Sequence, residues 1–416
     1  MGLIKKTNRL WLPFLAMLVS ASVTSSIVER YTVLTGQKQS QYVASVTQLE
    51  SCYLCRFPVI TSPDDNLPAS DKSADNPETV TDIWKQIRSG FAFPAVDQDA
   101  VLTHINEYTR HPHLFEQVLQ RGQPYLFHIL NRLEHAGMPT ELALLPVIES
   151  AFDPFATSPV GAAGIWQFMP NTAADVGLDQ DWWYDGRRDI IASTEAALDY
   201  LGQLNKRFEG DWYLTLAAYN AGGARVQRAI RHNRDAGKPA DFWHLPLPEE
   251  TRSYVPKLIA LKTIIENPRD YNISLPALLN TRHFSTLEIR GQIELRVAAR
   301  LAGVSVDEMQ RLNPGYERSI TPPDKTSTLL VPSQVEGVFR ERIALLPQDQ
   351  RIQSIQHRIR AGDNLSTIAR HYRTTVSLLR KANRLKGSKI IAGDLLIVPV
   401  DEQEINIGGS SYAALI

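Results

Sequence analysis

The sequence predicts a mainly α-helical protein, with a large helical domain followed by small α/β modules. Two observations support this fold class. Apolar residues recur at helical spacing from about residue 82, through 124–135, and again over 197–208. The last third then repeats one pattern of residues at matching intervals. A length of 416 residues suggests two or three domains, and a net charge of -1 gives no overall polyelectrolyte character that argues for nucleic acid.

The N-terminus has the pattern of an export signal. Residues 1–23 begin with Lys5, Lys6 and Arg9, and an apolar run follows over 10–19. That run is too short to span a bilayer comfortably, which favours an export signal; an uncleaved N-terminal anchor is the alternative. Both interpretations place the body of the protein outside the cytoplasm. Residues 24–80 are predicted to form a flexible tether, because Pro, Asp, Ser and Asn dominate from residue 58 onward.

Only two cysteines occur, Cys52 and Cys55. In an oxidising compartment they can close a small disulfide ring. A zinc site needs two further ligands, and none stands at a suitable spacing. The cysteines therefore predict no zinc site.

The stretch over residues 138–170 places a carboxylate among apolar residues. Leu142, Leu145, Glu149 and Phe152 have helical spacing and are predicted to share one face. A carboxylate in an apolar stripe is costly to ionise, so its pKa should rise toward neutrality. A general acid needs that condition. The alternative is a structural buried glutamate whose oxygens accept from backbone amides.

The residues after Glu149 are predicted to turn the chain back toward the helix end, because Pro and Gly recur over 154–164. An apolar wall with one amide follows, formed by Ile165, Trp166, Gln167, Phe168 and Met169. Sugar sites are commonly built in this way. A core-forming Trp166 is the alternative.

Two further helices are predicted after this stretch. Ser193 is a candidate cap for the first, and Asp211 for the second, which should stop at Gly222. Tyr219 and Asn220 then fall at a helix end, where side chains can reach into a cleft. From the pattern alone, a core tyrosine is the alternative.

The run ESAFDPFATSPVGAAGIWQFMP, residues 149–170, resembles the signature of the goose-lysozyme-like lytic transglycosylases, and is most similar to the membrane-bound lytic murein transglycosylase D group. Three further blocks match in the family's order: DWWYDGRRD over 181–189, AYNAG over 218–222 and ETRSYVPK over 250–257. The resemblance covers about residues 80–275. It implies a lysozyme-like helical domain over 81–280 in which Glu149 is the sole catalytic residue. It also implies that substrate is bound by Ser158, Gln167, Met169, Tyr219, Asn220 and Tyr254.

Residues 357–399 look like a LysM module, a βααβ fold that binds N-acetylglucosamine-containing glycans. The resemblance rests on GDNLSTIA over 362–369 and on a terminal LIVP. It implies a module over 356–400 with glycan-binding residues Gly362, Asp363, Asn364 and Leu365. The family commonly has Thr or Ser where Asn364 stands.

Residues 290–332 repeat the same plan. Leu295 and Ala299 are four apart, as are Leu365 and Ala369, and each alanine precedes an asparagine, Asn313 or Asn383, by fourteen residues. The agreement predicts a degenerate LysM-like module over 285–333, a connector over 334–355 and a tail over 401–416. Chance similarity between two small α/β segments is the alternative.

The segment from 357 to 400 carries nine Lys or Arg against two Asp. Without a stacking-aromatic or helix-turn-helix pattern, this excess favours anionic wall polymers or lipid surfaces over nucleic acid. A solvated basic face is the bland alternative.

One carboxylate suffices for glycoside cleavage if the substrate supplies the nucleophile. Asp153 stands four residues after Glu149, but Pro154 follows it and argues for a turn. The resemblance implies a peptidoglycan lytic transglycosylase that cleaves the MurNAc–GlcNAc β-1,4 bond and forms 1,6-anhydroMurNAc. This reaction needs no metal and no organic cofactor. The predicted partner is the glycan strand, and the predicted location is the periplasm or cell envelope, with membrane association through the N-terminus left open. A muramidase-type hydrolase and an inactive peptidoglycan-binding scaffold are the alternatives.

Overall fold

The computed structural model of the protein describes residues 82–398, apart from 324, 353 and 373. The predicted export signal over 1–23, the tether over 24–80 with Cys52 and Cys55, and the tail over 401–416 lie outside the described residues. Within the described part of the chain, none of the helices combines the length and apolarity needed to span a membrane.

A helical domain comes first among the described residues. Its α-helices are α1 (Ile83–Ser89), α2 (Asp99–Thr109), α3 (Pro112–Arg121), α4 (Gln123–His135), α5 (Leu145–Ser150), α6 (Pro170–Asp175), α7 (Ile190–Arg207), α8 (Trp212–Ala221), α9 (Gly223–Asp235) and α10 (Glu249–Glu266). Short 3-10 turns occupy Thr140–Leu144, Phe242–His244 and Pro268–Tyr271.

Helical periodicity determines which faces are buried. In α4, Tyr125, Ile129 and Leu133 are 0–1% exposed, which confirms that they share one face toward the core. The long helix α10 packs against α2, α5 and α8, and most of its apolar residues are buried. Because α10 contacts several layers of the bundle, it fixes the relative positions of helices that are distant in sequence.

The helix that carries Glu149 differs from its prediction. The chain forms a 3-10 turn over Thr140–Leu144 and only then the short helix α5, which ends at Ser150. Ala151 and Phe152 have φ values of +52° and +56°, a left-handed conformation that terminates a helix. Phe152 therefore leaves the helical face, although its side chain is still buried.

One of the two predicted helix caps is correct. Asp211 caps α8 by accepting a hydrogen bond from Leu214 N at 2.9 Å, as expected. The cap of α7 is Asp189, which accepts from Ala192 N, and the prediction of Ser193 was wrong. Ser193 lies within the first turns of α7, and its hydroxyl donates back to Asp189 O. A serine inside a helix can make this local bond as readily as a capping bond, so composition alone did not distinguish the two positions.

The block over 181–189 holds the loop that follows α5. Gly164 has φ +81°, and a Cβ there would stand 1.9 Å from Arg187 O, so only glycine fits this close approach. The Arg187 guanidinium donates to Gly161 O at 2.7 Å, and Arg188 donates to Thr157 Oγ1 at 2.6 Å. Two of the sequence blocks are therefore parts of one folded unit.

Two α/β modules follow the helical domain. The first α/β module contains β1 (Phe284–Arg290), α11 (Leu295–Ala302), α12 (Val306–Leu312) and β2 (Thr326–Pro332). Helix α13 (Glu336–Leu345) comes next, flanked by 3-10 turns over Ser333–Val335 and Gln348–Gln350. The second α/β module contains β3 (Ile355–Arg358), α14 (Leu365–His371), α15 (Val376–Ala382) and β4 (Leu395–Val398). In each module the two strands pair antiparallel, with Phe284 opposite Pro332 and Ile355 opposite Val398.

The two asparagines predicted from the repeat have the same role in both modules. Asn313 Nδ2 donates to Leu330 O at 2.7 Å, and its Oδ1 accepts from Leu330 N at 2.8 Å. Asn383 makes the same pair of bonds with Ile397, at 2.7 and 2.8 Å. Both asparagines are nearly inaccessible to solvent. Each side chain therefore ties the end of the second helix to the last strand.

The segment over 334–355 is more than the predicted connector. Helix α13 lies within it, and Phe339 of that helix is fully buried in the core of the first α/β module. Ile343 and Leu346 pack against the same core. The folded module therefore extends beyond residue 333, because these apolar residues cover a face that two helices and two strands leave open.

Replacing Asn383 by alanine should destabilise the second α/β module. The change leaves the N–H and C=O of Ile397 buried without these partners, which costs about 2 kcal/mol or more. Hydrogen exchange of the β3 and β4 amides in the full chain measures this, with Ser366→Ala on the exposed surface of the module as control. Equal exchange rates in the two variants would contradict the proposed tie.

Candidate active site

Glu149 lies in the last turn of α5 and is half-buried. The hydroxyl of Tyr254, on α10, donates a hydrogen bond to Glu149 Oε1 at 2.5 Å. Tyr254 itself is 3% exposed. The carboxyl therefore accepts a hydrogen bond from a tyrosine hydroxyl on another helix, and the residue as a whole is partly accessible to solvent.

The electrostatic setting of Glu149 brings its pKa close to neutral. Burial raises the pKa from 4.5 to about 7, the Tyr254 hydrogen bond lowers it, the charge of Glu250 raises it and that of Lys257 lowers it. Burial is the largest of these effects, as expected for a carboxylate removed from water. A carboxyl with a pKa of about 7 can both give and take a proton near physiological pH.

A second buried carboxylate, Glu141, provides a contrast. It is 0% exposed, and its Oε1 accepts from the backbone amides of Ala92 and Phe93, both at 2.7 Å. This matches the alternative that the sequence left open for Glu149, a buried glutamate satisfied by backbone amides. Glu149 instead is bonded to a side-chain hydroxyl. The contrast distinguishes a structural carboxylate from a candidate catalytic one.

Tyr219 and Tyr254 lie beside Glu149. Burial raises the pKa of both tyrosines well above 10, and the neighbouring Glu149 charge raises each further. Tyr219, in the last turn of α8, donates to Trp166 O at 2.9 Å. Both phenols therefore stay neutral. They are hydrogen-bond donors throughout the working pH range.

Asn220 is fixed by a residue that the sequence analysis did not single out. The Thr251 hydroxyl donates to Asn220 Oδ1 at 2.7 Å, which orients the amide and commits its carbonyl oxygen. Thr251 is 2% exposed and stands one turn before Tyr254 on α10. One face of α10 therefore holds both Glu149 and Asn220. The only available signal was the position of Thr251 inside the ETRSYVPK block.

The remaining predicted binding residues lie on the loop after α5. Gln167 adopts φ +50° and donates through Nε2 to Gly164 O at 2.8 Å, while Met169 is 40% exposed. Ser158 Oγ accepts from Ala162 N at 3.0 Å and closes the turn between them. The Ser150 hydroxyl, next to Glu149, donates to Ile165 O at 3.1 Å and anchors this loop to α5.

The predicted apolar wall is mostly core. Ile165, Trp166 and Phe168 are at most 3% exposed, and the Trp166 indole donates to Thr194 Oγ1 at 3.0 Å. The alternative of a core-forming Trp166 is therefore correct. The indole packs inward because one buried hydroxyl partner satisfies its N–H. Among the wall residues, Gln167 and Met169 are the ones that solvent reaches.

Asp153 closes a turn, as predicted. Its Oδ1 accepts from Phe155 N at 3.0 Å, an interaction of an aspartate with the backbone two residues on. It is thus engaged in local structure after α5 has ended.

The predicted glycan-binding residues of the second α/β module form the start of α14. Gly362 and Asn364 are exposed, Asp363 is half-buried and Leu365 is buried. Asn364 caps the helix by accepting from Thr367 N at 2.9 Å. In the part of the chain that the structure describes, no cluster of three or more His, Cys, Asp or Glu is arranged to hold a metal ion.

Comparison with known proteins defines the class of the helical domain. Residues 130–242 match the transglycosylase SLT domain family. Residues 283–348 match the family described as lytic transglycosylase MltD, LysM-like domain, and residues 357–399 match the LysM domain family. The site around Glu149 therefore lies in a domain of the transglycosylase SLT class.

The chain is 37% identical over 327 residues to the membrane-bound lytic murein transglycosylase D of Escherichia coli, in strains K12 and O6:H1, covering 76% of this chain and 72% of the relative. It belongs to the membrane-bound lytic murein transglycosylase D family. The lytic transglycosylase Slt of Pseudomonas aeruginosa, solved as an inactive mutant, overlaps 36% of this chain and 25% of its own at 25% identity and a TM-score of 0.28, too small an overlap to argue from.

The raised pKa of Glu149 predicts a pH-dependent cost to stability. Between pH 4.5 and 7 the folded chain keeps a proton that the unfolded chain has lost, so this group lowers stability as pH rises through that window. Glu149→Gln removes the cost and should stabilise the helical domain at pH 8 by up to about 3 kcal/mol, with little effect at pH 4. Urea unfolding followed by tryptophan fluorescence measures this. The exposed Glu209→Gln is the control, and an equal gain there at pH 8 would rule out the assignment.

Tyr254→Phe should move the alkaline limb of the pH–rate profile. The hydroxyl lowers the pKa of Glu149, so its loss should raise that pKa further above 7, by about one unit for a hydrogen bond to a charged group. The limb of kcat/KM against pH should then shift to higher pH. An alkaline limb at unchanged pH would show that the Tyr254 hydroxyl does not affect the pKa of Glu149.

Proposed function

We propose that Glu149 alone serves as acid and then base in a lytic transglycosylase reaction on peptidoglycan. The bond cleaved is the β-1,4 link between N-acetylmuramic acid and N-acetylglucosamine, and the product carries 1,6-anhydroMurNAc. The observation that carries the proposal is a single carboxyl of pKa about 7, held by a neutral tyrosine, on a residue that is partly accessible to solvent.

In the first step the protonated Glu149 donates its proton to the glycosidic oxygen. The bond from that oxygen to muramyl C1 breaks, and positive charge develops on the sugar ring. A carboxyl of pKa about 7 is suited to this donation because a large fraction is protonated at neutral pH. As the proton leaves, Tyr254 stabilises the carboxylate through the hydrogen bond to Oε1.

In the second step the Glu149 carboxylate accepts the proton of the muramyl C6 hydroxyl, whose oxygen bonds to C1 and closes the 1,6-anhydro ring. The nucleophile belongs to the substrate, so no second protein group is needed to activate water. The high effective molarity of an intramolecular hydroxyl favours this closure. Asp153 is engaged in a turn, which leaves Glu149 to carry both proton transfers.

Four side chains orient the sugar strand in this proposal. The amide of Asn220, aligned by Thr251, presents its Nδ2 donors, and Tyr219 is kept neutral and anchored to Trp166 O. Gln167 and Met169 supply a polar and an apolar contact from the loop after α5. Fixed dipoles of this kind stabilise charge that develops in the transition state without having to reorganise.

A hydrolytic reaction is the one competing function with a specific observation behind it. Glu250 is an exposed carboxylate whose charge reaches Glu149 and raises its pKa. A glycosidase that uses water needs a second carboxylate as base. Glu250→Gln should therefore abolish a hydrolase. A transglycosylase should stay active, with its alkaline limb moved to lower pH because a charge that raises the pKa of Glu149 is gone.

The second α/β module is proposed to hold the enzyme on its polymer. Its exposed residues Gly362 and Asn364 open the glycan-binding loop, and the surplus of arginine and lysine attracts anionic wall polymers. The enzyme is then concentrated at its substrate in the cell envelope. We place it in the periplasm, with the N-terminal segment as export signal or anchor.

Product analysis tests the proposal directly. Digestion of purified sacculi should release muropeptides lighter by one water than the products of a hydrolase, as seen by mass spectrometry. Glu149→Gln should abolish release while binding to sacculi persists. Asp153→Asn is the matched control, because asparagine can close the same turn, and it should retain most of the activity.

Two results would count against this function. Products that contain the added water identify a hydrolase. Substantial turnover by Glu149→Gln, with its fold intact by circular dichroism, removes Glu149 as the acid.

A further inference from the structure

The two α/β modules are built on one plan, which allows residue-by-residue comparison within the chain. Helices α11 and α14 begin at Leu295 and Leu365, and α12 and α15 begin at Val306 and Val376, so equivalent residues lie 70 apart. The glycan-binding loop proposed for the second module, 362–365, therefore corresponds to 292–295 in the first. The two loops start from the same fold and differ in what surrounds them.

The loop of the second module is open. Gly362 and Asn364 are exposed. The hydrogen bonds of Asp363 and Asn364 go to close neighbours in sequence: Asp363 Oδ2 accepts from Arg360 N at 2.8 Å and bonds with His357 Nε2 at 2.9 Å, and Asn364 accepts from Thr367 N. These bonds shape the loop without covering it.

The equivalent loop of the first module is closed by two other segments. Ile293 O accepts from Thr321 N at 3.0 Å, Ile293 N donates to Thr321 Oγ1 at 2.8 Å, and Leu295 N donates to Ser319 O at 2.8 Å. From the other side, Glu294 N donates to Arg351 O, and the Glu294 carboxylate accepts from Ser354 N and Oγ. Ile293 and Leu295 are fully buried, and Glu294 is 7% exposed. The backbone N–H and the carboxylate of Glu294 are thus already hydrogen-bonded within the chain.

One of the closing segments is a longer loop that docks on the helical domain. In the first module, Asn313 and its strand partner Leu330 are 17 residues apart, whereas in the second module Asn383 and Ile397 are 14 residues apart. This loop forms backbone bonds with the DWWYDGRRD block: Asp185 N donates to Gly315 O, and Glu317 N donates to Trp183 O, both at 2.9 Å. Lys325 adds an ion pair with Asp181 at 3.1 Å.

Glu317, in the same loop, bridges arginines from the two flanking units. Its carboxylate lies 3.3 Å from Arg188 Nε of the helical domain and 3.6 Å from Arg384 Nη1 of the second module. All three side chains are largely buried, with exposures of 12%, 22% and 26% for Arg188, Glu317 and Arg384. Without Glu317, Arg188 would keep its ion pair with Asp185, 3.7 Å from its Nε, whereas the enclosed Arg384 guanidinium would lose the carboxylate beside it.

Arg318 adds to the contacts around Glu317, and these contacts together form the joint between the helical domain and the second module. Its guanidinium lies 3.9 Å from the centre of the Trp182 ring in the helical domain, and its Nη1 donates to Asn383 O of the second module at 2.7 Å. The Arg384 guanidinium lies 5.3 Å from the centre of the Phe155 ring, which belongs to the loop that follows Glu149. Adjacent residues of one loop thus hold the second module and the active-site domain together.

We propose that the first α/β module has exchanged glycan binding for a structural role: it is an adaptor that fixes the second module, and its open glycan loop, in one orientation relative to the Glu149 cleft. The inference rests on the glycan-binding role proposed above for the second module. Fixed orientation matters because a tethered binding module raises the local concentration of strand at the cleft only when geometry lets both sites engage one polymer.

Hydrogen–deuterium exchange on the full chain tests which loop takes glycan. The probe is chitopentaose, and the protein is Glu149→Gln, so that no cleavage occurs. Amides of 360–367 should gain protection on binding, whereas amides of 291–297 should exchange slowly before addition and stay unchanged after it. Ligand-induced protection at 291–297 would overturn the adaptor. If neither loop gains protection, the proposed glycan role of the second module is rejected. The distance between labels on the helical domain and the second module then decides the adaptor role.

The distance measurement uses nitroxide labels at the exposed positions Lys206 and Lys389, with Cys52 and Cys55 replaced by serine. Pulsed electron paramagnetic resonance should give one narrow distribution of the distance between the two labels when the joint is native. Glu317→Gln should broaden it, and the exposed Glu288→Gln on β1 of the same module should not. Arg384→Met breaks the joint from the other side and covers the case in which Glu317→Gln folds poorly by circular dichroism. A broad distribution in the native chain, or a narrow one in both joint variants, would overturn the proposal.

Activity separates the adaptor from a general loss of fold. Glu317→Gln should cleave short soluble glycan strands at the native rate and should lose at least about threefold on intact sacculi, where the fixed module contributes. Equal losses on both substrates would mean that the joint supports the cleft itself and would contradict the adaptor role.

Discussion

The hydrogen bond from Tyr254 to Glu149 is the interaction on which the chemistry depends. Burial alone would raise the pKa of the carboxyl and keep it protonated, which suits an acid but not a base. The phenol opposes that effect by stabilising the ionised form. In the proposed reaction, the balance near pH 7 lets this one side chain serve both proton transfers. Tyr254 can maintain this balance because its own burial keeps it protonated.

Helix α10 supplies the side chains that position this contact and its neighbour. One turn apart, Thr251 and Tyr254 bond to Asn220 from α8 and Glu149 from α5, so a single helix positions both side chains. The loop after α5 is held in turn by the DWWYDGRRD block, and this block also forms an ion pair with Glu317 of the first α/β module. The candidate active site and the second α/β module are therefore connected through a short chain of hydrogen bonds and ion pairs.

Local sequence patterns predicted what depends on local physics. The periodic burial of α4, the Asp211 cap, the Asp153 turn and the paired asparagines of the two modules all follow from spacing and short-range bonding. The end of α5 did not follow, because Ala151 and Phe152 adopt left-handed angles that only the surrounding fold imposes. Trp166 was assigned to a wall because its partner Thr194 is 28 residues away in sequence. The Glu317 joint unites three distant segments, so no spacing rule could reveal it.

The titration of Glu149 itself tests the central claim most directly. Difference infrared spectroscopy of the native chain against Glu149→Gln isolates the carboxyl and carboxylate bands of this one residue across pH. A midpoint near pH 7 is the result that the Tyr254 contact and burial predict. A midpoint near 4.5, the value for an ordinary glutamate, would mean that the side chain is solvated and ionised in the working enzyme, and would contradict its role as the acid.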